Sequence, residues 1–149
     1  MKIPASLVSI VLFLVLLGAR AAAADAPPTE VVFIDHAQME NGFSKGMVLL
    51  ADSSYRGQAG RRVTTGQAEV HASDTDIFFV TEGTATIVTG GKPVEPHTTG
   101  PGETRAPKTE GGIARRLVKG DVLIVPAGVP HWFSEVNETF LYFLVKVTK

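Results

Sequence analysis

From Met47 onward the chain is written in short β-prone runs cut by turn residues, and this punctuation constrains its fold more than any other feature. Segments 47–51, 55–64, 67–71, 76–81, 84–89, 113–118, 122–125, 131–136 and 139–147 are rich in Val, Ile, Phe and Thr, and Gly, Pro, Asn or Asp separates most of them. Branched and aromatic side chains suit the pleated, half-buried surface of a sheet. Many short strands in one small chain predict an all-β sandwich, jelly roll or barrel. Glu82-Gly83 lies between two such runs and predicts a tight hairpin turn. One helix is predicted, over His36 to Phe43, capped by Asp35 and ended by the punctuation of Gly42 and Gly46. Val31 to Ile34 reads as a further short strand. Residues 90–112, with four prolines and six glycines, show no strand pattern and predict a long loop, either a functional lid or a disordered insertion.

The first 24 residues are of another kind. Lys2, the apolar run Leu7 to Leu17 and the small-residue stretch Ala21 to Ala24 have the layout of a secretory signal cut after Ala24. The run is shorter than the ~20 apolar residues that span a bilayer. The positive mean hydropathy of +0.17 comes from this segment. The expected organisation is a signal (1–24), an extension with the short helix (25–46) and one barrel domain (47–149), secreted or periplasmic and with no membrane association after cleavage.

Loss of Lys2 and Arg20 leaves 12 basic against 15 acidic residues. A slightly acidic domain with scattered cations is a poor partner for a phosphate backbone, so nucleic acid is not expected. Cysteine is absent, which excludes thiol nucleophiles, Cys-based zinc or Fe–S sites and a lipoprotein anchor. Metal or acid–base chemistry must therefore use four histidines and 15 carboxylates. No G-x-S-x-G elbow, P-loop or dinucleotide fingerprint is present.

The sharpest motif is Gly120 to Phe133, GDVLIVPAGVPHWF. Gly120-Asp121 makes a turn, Val122 to Val125 a buried strand, and Pro126-Ala127-Gly128 reverses the chain. His131 and Phe133 then share one face of the next strand. This G-x5-P-x-G-x2-H pattern resembles the second motif of the cupin family. The stretch GQAEVHASDTDIFFVTEG resembles the first motif in altered form. His71 falls on its second histidine, Glu69 replaces the first, Asp76 replaces the glutamate, and Gly83 follows Asp76 at the family spacing.

The resemblance covers roughly residues 66–147 and implies a double-stranded β-helix, or jelly-roll barrel, whose interior holds a metal or a small ligand. It also implies possible pairing into a homodimer through edge strands, with Val31 to Ile34 as the segment exchanged. Glu69 and His71, two apart on a strand, point to one face. Together with Asp76 and His131 they offer two imidazoles and two carboxylates for one divalent ion (Fe, Mn, Zn or Ni). Without metal, the carboxylates would form an acid–base site. One of Arg61 and Arg62 must face inward, and Arg62 is the candidate grip for an anionic substrate. Phe133 is the second candidate substrate contact, although Tyr55, Phe78, Phe133 and Phe143 also read as barrel packing. His36 and His97 read as surface residues. The expected function is metal-dependent action on a small polar organic molecule, such as oxygenase chemistry; the alternatives are a non-catalytic sugar or organic-acid binding module and a metal-free isomerase.

Overall fold

Asp35 begins the first element as its sequence position implies. Its carboxylate accepts from the Gln38 N–H at 2.8 Å, and the Gln38 side-chain oxygen accepts from the Asp35 N–H at 2.9 Å. This reciprocal cap starts helix α1 (His36–Lys45), which ends where Gly46 turns left-handed. The structure, a computed structural model, describes residues 31–149; the expected signal segment and residues 25–30 lie outside it. Val31 to Ile34 is not the expected strand. A strand exists only through a partner, none among the described residues pairs with this segment, and Val31 and Phe33 are 96% and 81% exposed.

Eleven strands follow: β1 (Met47–Ala51), β2 (Tyr55–Arg62), β3 (Ala68–His71), β4 (Asp74–Thr89), β5 (Lys92–Val94), β6 (His97–Gly100), β7 (Glu103–Ala106), β8 (Lys108–Glu110), β9 (Ile113–Val118), β10 (Val122–Val125) and β11 (His131–Thr148). Nine form one sheet in the order β1-β2-β11-β3-β7-β6, with β4 joining β11 to β9 and β10; β5 and β8 make a separate ribbon. The fold is the expected all-β jelly-roll barrel with one short N-terminal helix.

Two further expectations fail, each through pairing with a strand outside the segment itself. Glu82-Gly83 is not a hairpin. The runs on either side are one 16-residue strand, β4, and both pair with β11 rather than with each other. Gly83 has φ +76°, and a Cβ there would fall 2.1 Å from the Thr139 carbonyl oxygen, so only glycine fits this corner. The inward residues change parity across it, from Asp76, Phe78 and Val80 to Ala85 and Ile87. β11 does the same, from His131 and Phe133 to Phe140, Tyr142, Leu144 and Lys146, past a register shift between Asn137 and Leu141. Such shifts bend both strands around one end of the barrel.

Residues 90–112 are not a structureless loop either. They fold into β5 to β8, strands of three or four residues that are too short and too polar to show alternation. The β6–β7 hairpin adds to the sheet through β3, pairing Glu69 with Arg105 and His71 with Glu103.

At the bent end the core is apolar and closed, built on Val80, Ala85, Ile87, Leu117 and Phe140. From Phe140 a contact series of rings runs through Tyr142 and Phe133 to Phe78, with centroids 5.4–5.8 Å apart. Phe78 meets the ring of His131 at 6.2 Å, where the other end of the barrel begins. Tyr55 on β2 and Phe143 on β11 instead lie half-buried on the outer face of the sheet.

Candidate metal centre

Strand periodicity and one tight loop assemble the site. β3 turns Glu69 and His71 to the same side, and Asp76 is the first buried residue of β4. The Pro126-Ala127-Gly128 reversal is tied to β3, since the Gly128 N–H donates to the His71 carbonyl at 2.8 Å. The Trp132 indole donates to the Gly66 carbonyl, also at 2.8 Å. These two bonds set His131 opposite Glu69 in the sheet. All four residues singled out in the sequence therefore stand together at the open end of the barrel.

Both imidazoles aim Nε2 at the same point. His71 Nε2 lies 3.4 Å from Glu69 Oε2 and 3.5 Å from Asp76 Oδ2. His131 Nε2 lies 3.9 Å from the former and 3.5 Å from the latter. Their Nδ1 atoms are committed elsewhere. A carboxylate can only accept, so the contacts of 2.8 and 2.9 Å from His71 Nδ1 to Glu103 put the proton on Nδ1. His131 Nδ1 donates to the Val129 carbonyl at 3.2 Å. When neutral, each ring then points its lone pair inward.

This donor set fits a divalent ion. Glu69, His71 and His131 each place a ligand atom within 4.8 Å of the other two. Atoms bound at about 2.1 Å to one ion stand about 3.0–3.4 Å from each other, so the imidazole–carboxylate spacings of 3.4–3.9 Å need only slight contraction. His71 Nε2 is buried and has no hydrogen-bond partner, although such groups are normally paired. A cation would satisfy it.

The carboxylates divide their oxygens between two tasks. Glu69 offers Oε2 to the histidines, while Oε1 pairs with Arg105 and, at 3.6 Å, with Arg62. Asp76 offers Oδ2 to the histidines, while Oδ1 accepts from Lys146 Nζ at 2.6 Å. Burial pushes the Glu69 carboxyl up, but His71, Arg105, His131 and Arg62 outweigh it and hold it down at about 2. The same contest ends well below the carboxylate range for Asp76, where His131, His71 and Lys146 overcome burial. For His71, burial lowers the pKa, and the Asp76 and Glu69 carboxylates raise it to about 9. The ion-free centre is thus a histidinium between two carboxylates.

Above the centre lies a cavity of about 440 Å³. Arg62 faces it and Arg61 faces solvent. The Arg62 guanidinium sits 4.5 Å over the Phe133 ring and donates from Nε to the Tyr142 hydroxyl at 3.2 Å. Phe133 is itself buried, forming the floor beneath Arg62. His36 and His97 are exposed. Sequence reasoning missed Glu103, Arg105, Lys146 and Tyr142. The first two come from the segment read as a loop. The other two carried a signal, because Phe140, Tyr142, Leu144 and Lys146 alternate on one face of β11.

Comparison with known proteins agrees with this architecture. A family model described as Cupin matches residues 46–149. Among solved structures, BH2720 of Bacillus halodurans superposes with a TM-score of 0.59 at 12% identity, over 85% of this chain and 86% of that one. NMB1881 of Neisseria meningitidis gives 0.52 at 11%, over 80% and 100%. Hydroquinone 1,2-dioxygenase of Sphingomonas sp. TTNP3, with 4-hydroxybenzoate bound, gives 0.52 at 14%, over 68% and 64%. At these identities the likeness is one of fold. No curated protein matches the sequence. With the match running from the start of the barrel through its last strand, the chain belongs to the cupin family.

Proposed function

We propose that the protein holds one divalent transition ion through His71, His131 and Glu69, with Asp76 as the fourth group, and acts on a small polar organic molecule in the cavity above. The observation that carries this is the convergence of two Nε2 atoms and a carboxylate oxygen on one point, with His71 Nε2 lacking any other partner. Imidazole and carboxylate together suit Fe, Mn, Ni or Zn, and two histidines with one carboxylate are the donor set of oxygen-activating iron sites. A bound ion would supply Lewis-acid polarisation and open positions for substrate or oxygen. Around it, Glu103 fixes the His71 tautomer, Lys146 and Arg105 hold the outer carboxylate oxygens, and Arg62 faces the cavity where a substrate anion would lie. The signal-like pattern over residues 1–24 supports placing this activity outside the cytoplasm.

A metal-free proton-transfer site is the competing reading, favoured by the histidinium between two ion-paired carboxylates. Elemental analysis of protein purified without chelator decides between them. About one equivalent of transition metal, lost in both His131→Ala and Glu69→Ala, is the expected result. Folded protein that refuses added Mn, Fe, Ni and Zn would rule the metal reading out. Oxygen uptake by metal-loaded protein across a panel of phenolic and enolic acids then tests for oxygenase chemistry.

A further inference from the structure

The charges lining the cavity are the least expected feature of the site. Three carboxylates surround the centre, Glu69, Asp76 and Glu103, and three cations face them, Arg105, Lys146 and Arg62. At the rim Arg56 and Asp74 offset one another. Both histidines are neutral when they bind an ion. With a divalent ion bound, the same cavity holds two uncompensated positive charges.

We propose that the metal-loaded cavity selects a small organic dianion, such as a dicarboxylate or a carboxylate with an adjacent enolate, over monoanions and neutral polyols. The inference rests on the metal reading above. Uncompensated charge is expensive where water is limited, and here most of it lies deep in the barrel. His71, Asp76, His131 and Lys146 are all buried. In a carboxylate-rich centre, two acidic ligands neutralise a divalent ion and leave the pocket indifferent to ligand charge. Here Lys146 and Arg105 have already cancelled Asp76 and Glu69, one oxygen each. The neutralising charge must come from the ligand. Arg62 is set to meet it, since Phe133 and Tyr142 restrain its guanidinium at the cavity wall. The volume of about 440 Å³ admits one small molecule.

Co(II)-loaded protein titrated with malonate, acetate and glycerol tests this, with visible absorption reporting ligand binding and elemental analysis reporting the ion. Malonate is expected to bind at least tenfold more tightly than acetate, and glycerol not at all. Arg62→Gln and Arg105→Gln should each weaken malonate at least tenfold while Co(II) stays bound; two variants guard against one that fails to fold. Glycerol binding as tightly as malonate, or malonate binding that ignores both arginines, would overturn the inference while sparing the metal site. Failure to take up Co(II) before any ligand is added would remove the metal reading and this inference with it.

Discussion

The two ends of the barrel are made from the same two strands, yet they obey different rules. At the bent end β4 and β11 turn inward only apolar side chains, and Phe140 is fully buried among them. At the open end those strands contribute Asp76, His131 and Lys146, three ionisable groups buried almost as deeply. The closed end holds together by burying area, which tolerates no loss of volume. The open end holds together by pairing charge, which tolerates no loss of a partner. Apolar packing and the candidate site are thereby separated along the barrel axis, and substitutions at the two ends should be read by different measurements.

Phe140→Ala should give the largest change. Removing a buried aromatic ring costs about 3–5 kcal/mol, measured by denaturant unfolding, and folded protein should still take up metal. A cost below about 1 kcal/mol would mean the closed end is loosely packed. Gly83→Ala is next, at about 1–3 kcal/mol for a left-handed non-glycine residue, more if Thr139 cannot retreat from the new Cβ. At the open end the order reverses. Glu103→Gln should leave unfolding nearly unchanged and weaken metal binding about 10–100-fold by loosening His71. Unchanged affinity would show that Glu103 does not position the ring.

The pH response sharpens the contrast further. In the metal-free protein the His71 pKa is raised, so its stabilising contribution is complete below the ordinary histidine value and lost as pH rises through about 9. Glu69 and Asp76 are depressed, so theirs is complete above the ordinary carboxylate range and lost as pH falls, for Glu69 toward about 2. Thermal melts should therefore be highest between those two ranges. An ion takes neutral His71, so binding at pH 7 should release about one proton, visible as a buffer-dependent heat in calorimetry. Metal should also abolish the alkaline loss. Equal heats in buffers of different ionisation enthalpy would show that His71 is already neutral. The smallest effect belongs to Arg61→Ala, whose exposed side chain should change stability by no more than about 0.5 kcal/mol.

What could be read from the sequence follows the range of the interactions involved. His131 was legible because its frame is local: a turn, a strand and a Pro-x-Gly reversal within 14 residues. Glu69 and His71 were legible through period two alone. Glu103 and Arg105 were not, because polar three- and four-residue strands among prolines and glycines carry no periodic signal, and only pairing with β3 makes them strands. Gly83 was recognised as a break, but a corner and a hairpin need the same residue. The difference lies in the partner strand, at Thr139, 56 positions away. Lys146 sat on the inward face of an alternating strand, where a lysine is ordinarily read as solvent-facing.

The length of β11 has a further consequence, for the order of events during folding. This one strand pairs with β2, β3 and β4, and the paired residues run from His131 with Thr89, 42 positions apart, to Val147 with Tyr55, 92 apart. Until residues 131–148 are available, none of those three strands has its β11 neighbour, and His71 and Asp76 lack His131 and Lys146. The nucleus of such a barrel depends on distant contacts, which form slowly. A chain that has not yet produced β11 lacks the one strand that joins the β1–β2 edge, β3 and β4 into a single sheet.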